Sequence, residues 1–185
     1  MSEKAITIYT PSDAEPHITA DDDAFIYNGI LGGQSGFLGE MECTVESGNL
    51  VLTGGGVSNR GYVMRIPEGE SVSLSIPTGS QGMLRIDTVV SQFTKGGGTV
   101  ADSHTIQLIK GTPSTEPELP TLMTSELTTA GDINQIPLFY VVMYELEVYS
   151  VVRAAEILGI NYDAPEIYVQ SSEPETPKAG DLWFW

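Results

Sequence analysis

An arginine and an aspartate, Arg85 and Asp87, stand two positions apart inside the apolar run "QGMLRIDTVVSQF" (81–93). On a β-strand, residues i and i+2 share a face and lie roughly 6.6 Å apart. Leu84 and Ile86 then take the other face. Charges so placed are either catalytic or architectural. Arginine's planar fork suits fixed bidentate pairing, and no third catalytic group lies near in sequence. The two are therefore read as a structural ion pair, each member bonding a neighbouring strand or an arm laid over it. Removing either partner is expected to leave a half-buried charge uncompensated.

Other reactive groupings are not legible. His17 and His104 stand on unrelated segments, without the short Cys/His spacings of a zinc site, so no metal is expected. "GGGVSNR" and "GGGTVAD" lack the lysine and the strand-loop-helix setting of a phosphate-binding loop. Both are read as hairpin turns, because glycine supplies positive φ. No serine occupies a nucleophile elbow. Cys43 is the chain's one cysteine and falls on the inward rhythm of its strand, so it is assigned to the core. The run Asp21–Asp23 in "ADDDAF" raises a calcium question. Adjacent aspartates point different ways, whereas a calcium loop spaces its oxygen ligands at alternate positions, so a solvated loop is expected. With 25 acidic residues, some carboxylate pair will always fall at a glycosidase separation, which empties that signal. The expectation is a protein with no catalytic residues and no cofactor.

The elements that would hold these residues are short strands punctuated by glycine. "EMECTV", "LVLT", "YVMRI", "VSLSI", "RIDTVVSQF" and "HTIQLIK" follow one another between turn clusters. This pattern predicts a mainly β fold, an antiparallel β-sandwich or barrel. Residues 111–131 hold Pro113, Pro117 and Pro120 and are read as an extended proline-rich covering arm, since proline lacks the backbone donor. "INQIPLFYVVMYELEV" (133–148) resumes strand character. In "SVVRAAEILG", Val151, Ala154, Ala155 and Leu158 lie at i, i+3, i+4 and i+7, predicting one short C-terminal helix capped by Ser150 and Gly159. The chain is thus divided into an N-terminal arm (1–24), a β-rich core domain (25–160) and an extended C-terminal tail (161–185). The tail ends in Leu182, Trp183, Phe184 and Trp185, an apolar cluster expected to dock on its own domain or on a partner.

Composition narrows the partners. Twenty-five acidic against eight scattered basic residues give a net charge of −17. Phosphate binding needs clustered cations, so nucleic acid and anionic lipid are poor partners. No stretch is apolar for the roughly eighteen residues of a membrane helix, and the N-terminus lacks the pattern of a signal peptide. Synthesis in the cytoplasm is expected. Like charge repels like chains, so an oligomer must be held by apolar contacts or neutralised carboxylates.

The order of motifs points further. "YNGILGGQSGFLG" is followed by "NLVLTGGGVSNRGYVM" and "VSLSIPTGSQG". The arginine-x-aspartate strand "RIDTVVSQF" comes next, then "LIKGTPSTEPELP" and "QIPLFYVV". Over about residues 25–145 this series resembles the baseplate and tail-fibre structural (adaptor) proteins of tailed bacteriophages and prophages. "GDLWFW" is similar to segments of phage fibre and baseplate proteins. Many proteins of that group end soon after the last strand, whereas this chain continues through "VRAAEILGINYDAPEIYVQ". The resemblance implies a non-enzymatic virion component, made in a host cytoplasm and resident in the tail. It implies a homo-oligomer, commonly a trimer, that attaches to other tail proteins, with Arg85 and Asp87 as a structural signature. The alternative class is a carbohydrate- or cell-surface-binding β-sandwich module, in which Trp183, Phe184 and Trp185 stack on host glycan.

Overall fold

The computed structural model describes residues 18–155, 157–158, 167–169 and 182–184. They form a mainly β protein with antiparallel sheets and one short helix.

The helix, α1 (Ala20–Ile30), lies near the start of the described chain. Thr19 caps it: the Asp22 carboxylate accepts from the Thr19 backbone N–H at 2.7 Å, and the Asp22 N–H donates to Thr19 Oγ1 at 3.4 Å. This reciprocal box satisfies donors that a helix start leaves open. Asp21, Asp22 and Asp23 fill the first turn, where the macrodipole favours negative charge. The aspartate run expected to be a solvated loop is therefore a helix start, and α1 continues through residues 24 and 25, where the sequence divides arm from core. The helix rests on Gly61, where a Cβ would come within 1.9 Å of the Ala24 carbonyl.

The first strands are β1 (Gly36–Leu38), β2 (Glu42–Glu46), β3 (Asn49–Thr53), β4 (Gly56–Asn59), β5 (Tyr62–Arg65) and β6 (Ser71–Ser75). The long ones follow: β7 (Leu84–Thr94), β8 (Ser103–Ile109), β9 (Ile133–Tyr144) and β10 (Glu147–Arg153). Two three-stranded sheets, β1-β4-β5 and β2-β3-β6, accompany a four-stranded sheet ordered β10-β9-β7-β8. A parallel pair, β11 (Ile167–Val169) with β12 (Leu182–Phe184), makes a two-stranded sheet of its own. The two glycine triplets behave differently. Residues 96–98 turn β7 into β8, as expected of a hairpin. Residues 54–56 instead carry the chain from the sheet of β3 into that of β4, with Gly54 and Gly55 at φ +68° and +72°.

No helix forms among the described residues of 151–158, and Val151 to Arg153 are strand. β10 pairs antiparallel with β9 from Glu147 to Arg153, and Ala154 N–H continues onto the Leu138 carbonyl. Val148, Val151 and Val152 are β-branched and lose side-chain freedom in a helix. An open edge of β9 gives them a ladder, and Val151 packs on the core. The helical spacing of Val151, Ala154, Ala155 and Leu158 is overruled by this tertiary pairing. The stretch 133–148 is split by a tight turn in which Glu145 takes φ +53°.

One hydrophobic cluster joins the sheets. Phe37 of β1, Leu50 and Leu52 of β3, Val57 of β4, Val89 of β7 and Val141 of β9 are fully buried in it. On β7, Arg85, Asp87 and Val89 stand opposite Met143, Val141 and Phe139 on this core side. The two charges thus point inward, among apolar residues.

A buried charge clasp as the candidate functional site

Arg85 is 1% exposed and Asp87 is wholly buried. Their side chains reach along the strand to each other. Arg85 Nε donates to Asp87 Oδ1 at 2.8 Å and Nη2 to Oδ2 at 2.9 Å, a two-point pairing that fits the planar fork. The remaining capacity goes to backbone. Arg85 Nη1 donates to the Thr78 carbonyl at 2.9 Å and Nη2 to the Pro77 carbonyl at 2.6 Å. Asp87 Oδ1 also accepts from the Gly111 N–H at 2.8 Å. The two charges expected to form a structural ion pair do so. The ions bond each other first, then hold one loop before β7 and one segment after β8.

The segment after β8 fits closely. A Cβ at Gly111 would lie 2.1 Å from the Ile86 carbonyl and 3.4 Å from Arg85 Cγ, so only glycine brings its amide this near. Three residues on, Ser114 exchanges two backbone hydrogen bonds with Leu84, at 2.8 and 2.9 Å. Farther along, the Met123 N–H donates to Gln135 Oε1 and the Gln135 N–H to the Met123 carbonyl.

A second polar network stitches the sheets. Asn59 Nδ2 donates to the carbonyls of Ser91 and Asn134, and Asn134 Nδ2 donates to Asn59 Oδ1 at 2.7 Å. Both asparagines are buried, so each amide is held by partners from another sheet. Sequence reading missed this pair; an asparagine flanking a glycine turn signals only the turn.

The titratable groups cluster at the other end of β7. Tyr62 OH donates to Asp21 Oδ1 at 2.7 Å, and Lys95 Nζ contacts Asp21, Tyr62 OH and Asp102. The Lys95 and Tyr62 hydrogen bonds hold the Asp21 carboxyl below its usual range. Burial, with the bond to Asp21, pushes the Tyr62 phenol up. Burial pulls Lys95 down, yet its bonds to Asp21 and Tyr62 outweigh that and leave it above the ordinary value. His104 Nε2 lies 2.6 Å from Ser91 Oγ, and the ring meets Phe93 edge-on. Burial lowers His104 to about 4. Ser91 is wholly buried, and His104 Nδ1 finds no orienting partner among the described residues. A third group is what would hold the ring in a working tautomer.

Cys43 is half-buried, and burial raises its thiol to about 11, far from the thiolate a nucleophile requires. Among the described residues no group of three or more His, Cys, Asp or Glu is placed to hold a metal ion. His17 and Trp185 lie outside the described residues. Leu182, Trp183 and Phe184 form β12, which pairs in parallel with β11. No protein-family model matches the chain, and no curated protein matches it in sequence.

Proposed function

We propose that the protein is a non-enzymatic structural component of a phage or prophage tail, a baseplate or tail-fibre adaptor that works by self-assembly and attachment to other tail proteins. The observation that supports this most is the clasp. The most conspicuous charges in the sequence are spent entirely on each other and on three backbone groups of the same chain. Such a pair fixes chain segments rather than meeting a ligand. The resemblance of residues 25–145 to tail proteins supplies the biological setting, the virion tail, and favours a trimer.

The finer architecture belongs to the same reading. The sheets β2-β3-β6 and β10-β9-β7-β8 make the two halves of a β-sandwich or barrel, with edge strand β2 close to β10 and edge strand β6 close to β8. Residues 111–131 form the covering arm, fastened at Gly111 and Ser114.

Light scattering on the purified chain, with a parallel assay on host cell-wall polysaccharide, tests the proposal. An oligomer at micromolar concentration without turnover is the expected result. A strict monomer, or turnover abolished by replacing particular carboxylates, overturns it.

A further inference from the structure

We infer that the outward face of the four-stranded sheet, where β10, β9 and the first half of β7 lie side by side, is the surface through which copies of this chain assemble. This rests on the self-assembly proposed above and says where it happens. The register places Leu84, Ile86, Tyr140, Val142, Tyr144 and Val152 on one side of the sheet, opposite the side that carries Arg85, Asp87 and Val141. Tyr144 and Val152 are 53% and 51% exposed. Thr88 and Val90 project from the same side of β7 and are buried. One half of this face is therefore covered within the monomer, while the other half, of the same apolar character, runs from half-buried at Leu84, Ile86, Tyr140 and Val142 to exposed at Tyr144 and Val152.

Charge selects the occupant. The chain carries 25 acidic residues and a net charge of −17, yet across these three strands Glu147, at the hairpin end, is the one charged residue on the face. A basic partner is drawn to clustered carboxylates, of which this face offers only Glu147 at its edge. A second copy of a strongly acidic chain needs the reverse, a surface where carboxylates stand aside and burial of apolar area drives contact. Tyrosines beside aliphatic side chains are the composition that interface cores favour. A second copy is the fitting partner, with the same face turned toward its neighbours.

The test is light scattering of the full-length chain over a range of concentrations and ionic strengths, comparing wild type with Tyr144→Glu, Val152→Glu and, on β5 of another sheet, the half-exposed Val63→Glu. Wild type is expected to associate, and more tightly as salt screens the like charges. A buried unpaired carboxylate in the interface is expected to weaken association at least about tenfold in the first two variants, with circular dichroism and thermal midpoint of the diluted chain unchanged. Val63→Glu is expected to behave as wild type. If wild type associates and all three variants associate equally, the inference fails while the self-assembly reading stands. A monomeric wild type overturns both. If Tyr144→Glu and Val152→Glu lower the thermal midpoint without altering association, the face is covered by the chain's own terminal segments, and the inference is again overturned.

Discussion

Consider the removal of one half of the clasp. Asp87→Ala deletes three acceptor contacts at 2.8 to 2.9 Å, two from Arg85 and one from the Gly111 N–H. It strands a guanidinium that is 1% exposed. Breaking a buried ion pair from one side costs about 3–5 kcal/mol, and a chain of this length loses about 2–4 °C per kcal/mol. The expected drop in thermal midpoint is about 6–20 °C. Arg85→Met is expected to cost a similar amount, since it leaves the carboxylate buried and frees the Pro77 and Thr78 carbonyls. The double variant Arg85→Met/Asp87→Ala removes both charges. It retains only the cost of three unpartnered backbone groups and lost packing, so it is expected to fall short of the summed singles by at least about 2 kcal/mol. Urea unfolding followed by circular dichroism gives the four free energies, and hydrogen exchange at the Gly111 amide reports release of the segment after β8. Additive singles, or a single loss below about 1 kcal/mol, would show that the two charges are not coupled in this way.

Gly111→Ala forces a methyl against the Ile86 carbonyl and is expected to lower the melting temperature and raise exchange at Leu84 and Ser114 together. His104 keeps its neutral form down to about 4, whereas an unfolded histidine binds a proton near 6.5. The unfolded state thus holds more protons between those values, so stability is full above about pH 6.5 and falls as pH drops toward 4. His104→Gln is expected to flatten that part of the melting-versus-pH curve, leaving the slope due to carboxylates. The Arg60–Glu126 pair is bidentate, at 2.8 and 3.1 Å, but Glu126 is 75% exposed. Glu126→Gln is therefore expected to cost no more than about 1 kcal/mol by urea unfolding. Thr19→Ala removes the α1 cap and is expected to cost about 1 kcal/mol by the same measurement.

Strands with strong local alternation or β-branched runs were legible in the sequence. The segments around Leu50, Val72, Arg85 and Ile106 fall where their patterns put them. The inward-facing pair was legible as architecture because nothing nearby offered it a reaction. Its partners were not, since Pro77, Thr78 and Gly111 contribute backbone atoms, which no side-chain pattern announces. α1 was missed because its first turn is three consecutive aspartates, poor helix formers in a helix interior but good ones at a capped start. The opposite error at 151–158 has the same root. Its helical spacing is local information, whereas the vacant edge of β9 is supplied by residues about ten positions earlier. The turn at Glu145 lacks the Asn-Gly or Asp-Gly signal that positive φ prefers, which hid the hairpin.

The position of β7 also sets an order of events in time. The hooks from Arg85 to Thr78 and Pro77 span only seven and eight residues, so they can close while later chain is still being synthesised. The Gly111 amide comes 24 residues after Asp87, and β9 begins about forty residues after β7 ends. At a translation rate of roughly 5–20 residues per second, β7 waits on the order of 2–8 s for the strand that covers its other edge. During that interval an eleven-residue strand containing Val89, Val90 and Phe93 has an unmade edge. The surplus of carboxylates keeps neighbouring nascent chains apart while the long strand waits for its mate.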